Sequence, residues 1–325
     1  MRLRVLSLVL TVAVCAFGET AEEYRQAAHD HYFNLEYEEA LASYYQALRV
    51  QGPNATDWNH IATTILFSEL HRLGKLETSA FRGNNAFLDE EKPEPDPEAD
   101  KRFLGALYEA RRLAEAELAK KPNDPAALFS LSSGYALEAN YLFMLKKSYL
   151  AALRTGTKAR KTSERILELE PDFVDAYLAP GVQEYVVGSL PWAVKMFAAL
   201  GGVRGNKEKG QAWVQRVADE GDVLKTEAQV LLTLLHRREG RPLEAAKGLD
   251  RLIEKFPRNY VLRLESGSMY ADADEKTRAL EIFRQVRGMV QRNENRYGRM
   301  PKRLTKALDE KIEELSDENV QAAAE

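Results

Sequence analysis

The side chains best suited to metal binding or proton transfer near neutral pH are five histidines, His29, His31, His60, His71 and His236. Their spacing serves neither purpose. His29 and His31 stand two residues apart and project from different sides of a helix. No His-Glu-x-x-His run puts two imidazoles on one face. The clustered Gly201, Gly202 and Gly205 could cradle a phosphate at a helix start, but no Gly-Lys-Ser/Thr follows and no strand precedes them. A tight turn between helices is the plainer reading. No Gly-x-Ser-x-Gly nucleophile element occurs. Asp and Glu are plentiful, mostly as solvated helix faces, so the sequence nominates no catalytic residue, no metal ligand and no cofactor.

Two further groups could make contacts rather than chemistry. Arg284, Arg287, Arg292, Arg296, Arg299, Lys302, Arg303 and Lys306 form a basic stretch interrupted only by Glu294. It could meet anionic lipid or an acidic partner through 284–306, but Asp309, Glu310, Glu313 and Glu314 follow, and a solvated, internally complemented face is favoured over membrane contact. Aromatic side chains are dense, among them Tyr32, Tyr44, Tyr141, Trp192, Phe197 and Trp213, and most belong in a core. With a net charge of −4, the chain is not a nucleic-acid binder by bulk charge.

At the N-terminus, Arg2 and Arg4 precede an apolar run at 5–17 that is short for a membrane span, and Ala16 and Gly18 supply small residues before Glu19. Residues 1–18 therefore read as a secretory signal peptide, implying a periplasmic or secreted protein whose mature N-terminus is Glu19. A retained anchor is one alternative. A lipoprotein acylated on Cys15 is another, opposed by the bulky Val14. Cys15 is the only cysteine, so the mature chain would have no disulfide, thiolate metal site or cysteine nucleophile.

The elements that must position any site are helices. In 227–238, Val230, Leu231, Leu232, Leu234 and Leu235 make a broad stripe at helical spacing, Gly240 and Pro242 punctuate, and 243–256 returns with the small Ala245 at a close approach. The pattern then repeats 34 residues on: Ala245 as Ala279, Leu249 as Phe283, Leu252 as Val286, with Thr233 matching Gly267 and His236 matching Tyr270. Gly267 and Ala279 are expected to face each other. A similar unit occupies 21–50. Helices are also expected at 57–67, with Asp57 as the cap, and at 101–121. A long helical segment is expected over 141–170, further helices over 172–185 (bent at Pro180), 192–200 and 207–218, and a closing helix over 302–315 before a polar tail.

The 34-residue period, with its small, aromatic and Pro positions, resembles the tetratricopeptide repeat. The resemblance implies an all-α, tetratricopeptide-type helix-turn-helix solenoid wound as a right-handed superhelix. Its expected organisation is a signal peptide at 1–18, N-terminal repeats at 19–81 and a Pro-rich acidic loop at 82–98. Central repeats with lengthened helices follow at 99–185, an irregular helical insertion at 186–221, two regular repeats at 222–290, and a closing helix and tail at 291–325. The insertion faintly resembles a Pro-led apolar segment and Gly-rich turn of divergent members, including a eukaryotic inclusion-body-clearance group and periplasmic T-components of some substrate transporters. In the family, extended peptides lie along the first helices. By position the contacting residues would be Arg25, His29, Tyr32, Asn59, Thr63, Phe129, Ser133, Val182, Tyr185, Leu234 and Arg237. Arg25, Asn59 and Arg237 are expected to point into a common groove without being needed for folding. The reading is thus an exported scaffold for a protein or peptide, not an enzyme, with a small-ligand accessory of a transporter as the alternative.

Overall fold

The computed structural model describes residues 19–76, 92–190 and 204–322, with backbone alone for 318–322. The expected signal peptide, most of the loop expected at 82–98, the helix expected at 192–200, and Gly201 and Gly202 lie outside these residues. Within them the chain forms helices and no strand. They succeed one another as six antiparallel pairs: α1 (Ala21–Phe33) with α2 (Tyr37–Gln51), α3 (Ala55–Arg72) with α4 (Pro97–Lys120), α5 (Pro125–Met144) with α6 (Tyr149–Leu169), α7 (Leu178–Gly188) with α8 (Lys207–Glu220), α9 (Lys225–Arg238) with α10 (Pro242–Lys255), and α11 (Tyr260–Asp272) with α12 (Lys276–Arg292). A last helix, α13 (Lys302–Ala322), packs on α12.

The repeat is visible in the hydrogen bonding of its turns. First helices α1, α3, α9 and α11 each end with a bond from the residue five positions beyond: Glu36 N to His31 O (2.8 Å), Lys75 N to Leu70 O (2.7 Å), Arg241 N to His236 O (2.9 Å) and Glu275 N to Tyr270 O (2.9 Å). This closure needs a left-handed residue just before the donor. Gly74 and Gly240 fill it without strain, whereas Leu35 and Asp274 adopt φ of 61° and 64° as non-glycines.

Several local expectations are corrected. Asn54, not Asp57, caps α3, its side chain accepting from the Asp57 amide, which leaves the Asp57 carboxylate to bind elsewhere. The segment 141–170 is two antiparallel helices, α5 and α6. They reverse at Leu145–Ser148 with Lys147 at φ 52°, a turn with neither Gly nor Pro to announce it. α4 is the second helix of the α3 pair, so the Pro-rich segment expected between repeats falls in sequence inside one. Pro180 does not bend a helix, because α7 begins only at Leu178 and Pro180 sits in its first turn. α13 runs to Ala322, through part of the expected tail.

In the last pair Ala279 is fully buried, and a Cβ built on Gly267 would stand 2.6 Å from the Phe283 ring, so Gly267 meets Phe283, one turn beyond Ala279. Ala279→Leu should lower the unfolding free energy by about 1–3 kcal/mol through overpacking, read by urea denaturation. An unchanged midpoint would show that this contact has room to spare.

The stack also closes on itself. Tyr32 and Phe33 of α1, with Tyr37 and Ala40 of α2, share one core with Leu249, Phe256, Tyr260 and Phe283. Phe33 stacks on Phe256 with ring centres 4.8 Å apart. Asn259, which caps α11, donates to Phe33 O (2.6 Å), and Arg258 N donates to Asn34 Oδ1 (2.9 Å). Around this seam the fully buried Glu36 accepts from Arg258 Nε (3.0 Å) and Arg296 Nη1 (2.6 Å) and pairs with His31 Nδ1 (2.6 Å). Arg299 donates to Asn34 O, and Tyr260 OH meets His71 Nε2 at 2.8 Å.

Candidate functional site

The inner face begins with the residues expected to line it. Arg25 on α1 reaches α3, its guanidinium gripping Asp57 through Nε–Oδ1 (2.7 Å) and Nη2–Oδ2 (2.9 Å). Asn59 on α3 is buried and donates to Ser130 O on α5 (2.7 Å). Arg237 on α9 is buried and reaches α11, where it pairs with Glu265 (2.9 Å) and Asp272 (3.3 Å). Tyr185 on α7 is buried, with its hydroxyl donating to Glu239 at the end of α9 (2.6 Å). Tyr32 is core, in edge contact with Phe33 and Phe67.

The expectation that these positions present side chains to a ligand is corrected for Tyr32, Asn59, Tyr185 and Arg237. The first helices lie close enough that the positions turned away from the partner helix of the pair meet the next first helix instead. Arg25, Asn59 and Arg237 are the ties between neighbouring pairs. Left half-buried on the same helices are His29, Thr63, Phe129, Ser133, Val182 and Leu234. Thr63 spends its hydroxyl proton on Asn59 O (2.9 Å), and Phe129 leans on Phe173 with ring centres 5.1 Å apart.

Between α1, α3 and α9 lies a set of titratable groups that the sequence did not single out together. His60 stacks flat on Tyr44 (5.2 Å), and His29 stands 4.7 Å from Phe33. Burial pushes the His29 imidazole down to about 4, with the Lys255 and His60 charges adding to the effect. Glu227 has a buried Oε2 without a hydrogen-bond partner; burial, seconded by the Asp175 charge, raises it to about 7 against Lys255 and its own backbone amide, which lower it.

Because the folded state holds this proton above the usual carboxylate range, Glu227 contributes stability that is complete below about pH 4.5 and lost as pH rises through 7. His29 acts oppositely, its stabilising contribution being lost as pH falls from about 6.5 toward 4. Comparing Glu227→Gln with the parent isolates the first effect. The variant should gain about 1–3 kcal/mol relative to the parent between pH 5 and pH 8 in urea titrations. A constant difference across that range would mean that Glu227 is ionised in the fold.

A recess opens where α7, α8 and α9 meet. It has a volume of about 560 Å³ and is lined by Gly188, Ser189, Asn206, Lys207, Arg238 and Glu239, among others. Its walls are built by backbone contact: a Cβ on Gly188 would fall 2.4 Å from Lys207 N, and one on Gly210 2.3 Å from Tyr185 N. Two buried carboxylates fix the approach of the helices. Glu184 accepts from Asn206 N (2.8 Å) and Arg160 (2.9 Å); Asp175 accepts from Leu224 N (2.8 Å) at the start of α9. Glu239 is held by Lys207 and Tyr185, while Arg238 is exposed. The lining is thus polar, not the deep apolar cavity beside Trp192 and Trp213 that a small apolar ligand would need. Trp213 packs against Tyr177 and under Lys209, and Trp192 lies outside the described residues.

The basic stretch 284–306 is largely consumed within the chain. Arg287 pairs with Asp309 (2.7 Å), Arg292 with Glu294 (2.8 Å) and Lys306 with Glu310 (3.5 Å), while Arg296 and Arg299 serve the seam with α1 and α2. Among the described residues no group of three His, Cys, Asp or Glu side chains could hold a metal ion.

No family model and no curated protein matches the chain. Among solved structures it is similar to a thermophilic tetratricopeptide-repeat protein of Thermus thermophilus, at 15% identity over 78% of this chain and 100% of that one, with a TM-score of 0.41. A tetratricopeptide repeat protein from Parabacteroides merdae is similar at 16% identity over 92% of this chain and 94% of that one, with a TM-score of 0.34. The helix pairs described above rest on this chain's own packing.

Proposed function

We propose that this all-α helical-repeat solenoid is an exported binding scaffold, not an enzyme, and that it holds a protein or peptide against the first helices of its N-terminal half. The observation that supports this reading is contiguity. Arg25–Asp57 ties α1 to α3, and Asn59–Ser130 ties α3 to α5, so three first helices stand side by side. His29, Thr63, Phe129 and Ser133 stay half-buried along that row. An imidazole, two small hydroxyls and a ring suit an extended peptide, whose backbone is met by short polar groups and whose side chains find apolar contact.

A photo-crosslinking residue at Thr63 or Ser133 should capture the partner in the native cell envelope, whereas the same residue at the exposed Lys247 on α10 should not. Capture only from Lys247 would move the binding surface away from the first helices. Export is tested alongside, since intact mass of the native protein should correspond to a chain starting at Glu19.

The second reading, a small-ligand accessory, draws support from the polar recess. Arg238 and the start of α8 would there meet an anionic group. Arg238→Glu would abolish binding of such a ligand without touching capture at Thr63.

A further inference from the structure

We propose that the start of α6 forms a docking face for an anionic membrane surface. The first observation is charge. Overall the chain is acidic, with 46 Lys and Arg against 50 Asp and Glu, yet residues 146–165 hold Lys146, Lys147, Arg154, Lys158, Arg160, Lys161 and Arg165 against the single acid Glu164. Some of these cations are spent internally: Lys146 on Asp100 (2.9 Å), Arg160 on Glu164 and Glu184, Arg165 on Glu168. Arg154, Lys158 and Lys161 are exposed and have no carboxylate partner among the described residues; Lys158 lies over the Tyr135 ring. At a spacing of three and four residues they line one side of the helix.

Apolar exposure at the same helix end is the second observation. Leu150 is 72% exposed, and Tyr149 and Leu153 beside it are also exposed. Phe143, at the end of α5, meets Tyr149 edge-on at 5.4 Å. The opposite side of α6, with Ala152, Thr155, Ala159 and Ser163, is buried, so Leu150, Arg154 and Lys161 point away from the body of the protein.

An apolar tip continued by a row of unpaired cations matches the chemistry of an anionic bilayer surface. Leu150, Tyr149 and Leu153 would enter the headgroup boundary, and Arg154, Lys158 and Lys161 would sit on the lipid phosphates. An acidic soluble protein would satisfy the cations but would not need the leucines in water. No described helix is long and apolar enough to cross a membrane, so the attachment is peripheral. The basic stretch at 284–306 is a poorer partner for lipid because its charges are largely matched within the chain.

Vesicle co-sedimentation of residues 19–325, which include every contact described above, tests the face without the apolar run at 5–17 as a second anchor. Vesicles of phosphatidylcholine containing a third phosphatidylglycerol should bind the protein at about 0.1 M salt and release most of it at about 0.5 M. Arg154→Glu/Lys158→Glu/Lys161→Glu and, separately, Leu150→Asp/Leu153→Asp should each lower the partition by roughly 10- to 100-fold, with unchanged circular dichroism and melting temperature. The single Leu150→Asp, at the most exposed position, should retain part of that loss, and Lys247→Glu should have none. Absence of binding to the anionic vesicles would overturn the proposal, as would equal binding to pure phosphatidylcholine. So would charge reversal that abolishes binding while both leucine variants bind normally, which would identify a surface for soluble polyanions or acidic proteins.

Discussion

Glu36→Gln should lower the unfolding free energy by about 3 kcal/mol at pH 7, measured by urea denaturation, and should loosen the first helix pair from the last. The carboxylate is fully buried and is the shared acceptor for Arg258 and Arg296, with His31 on its second oxygen. A glutamine of the same shape keeps the packing but removes the buried charge that Arg258 and Arg296 share, leaving Arg258 with Asp30 and Arg296 with Glu39. The loss should be visible as earlier proteolysis or faster amide exchange in α1 and α2, because Phe33 and Tyr37 lose their cover when the seam opens. Burial alone would raise the Glu36 carboxyl. Hydrogen bonds from Arg258 and His31, with the Arg258 charge and Arg296 behind them, instead hold it down at about 2. Its folded value is therefore depressed. The stability it contributes is present above about pH 4.5 and is lost as pH falls toward 2, so the gap between parent and variant should narrow over that window. A gap of the same size at pH 3 and pH 7 would mean that the seam depends on packing alone.

Arg237→Ala should cost about 3–5 kcal/mol and should change the melting temperature markedly, the opposite of what a groove residue would do. The guanidinium is buried against Glu265, itself buried, and truncating it removes the positive charge paired with that carboxylate between α9 and α11. Asp272, partly exposed, keeps some solvent and suffers less. The double substitution Arg237→Met/Glu265→Leu should recover much of the loss, since replacing both ends of a buried ion pair by apolar side chains removes the uncompensated charge. If Arg237→Ala melts like the parent, the α9–α11 tie is not structural and Arg237 returns as a ligand contact.

These two residues illustrate how much could be read from the chain alone. Helix existence, type and pairing in 21–50 and 226–287 were legible because they depend on local spacing: apolar stripes at helical period, Gly240 and Pro242 at a turn, Ala245 and Ala279 at close approaches. The reversal at Leu145–Ser148 was not legible, because Lys147 takes a left-handed conformation usually marked by Gly or Asn. Likewise Asp175 and Glu184 look like ordinary surface acids in sequence, yet they hold backbone amides 22 to 49 residues away.

Placement of Arg25, Asn59, Tyr185 and Arg237 on first helices followed from the repeat register, since a helical period fixes which side of a helix a residue occupies. Whether that side meets a ligand or the next helix is a matter of the spacing between helices, which no local pattern encodes. The same holds for the seam. Glu36 and Arg258 are 222 positions apart, and only the curvature accumulated over six stacked pairs brings them within 3.0 Å. Gly210 against Tyr185 and Gly267 against Phe283 set the close approach of helices within a pair, and small rotations between successive pairs add along the stack. The sequence by itself determined the helices and their pairing in 21–50 and 226–287, because there both are short-range. The tertiary structure decided the closure and the burial of the ties, because those are sums over the whole stack.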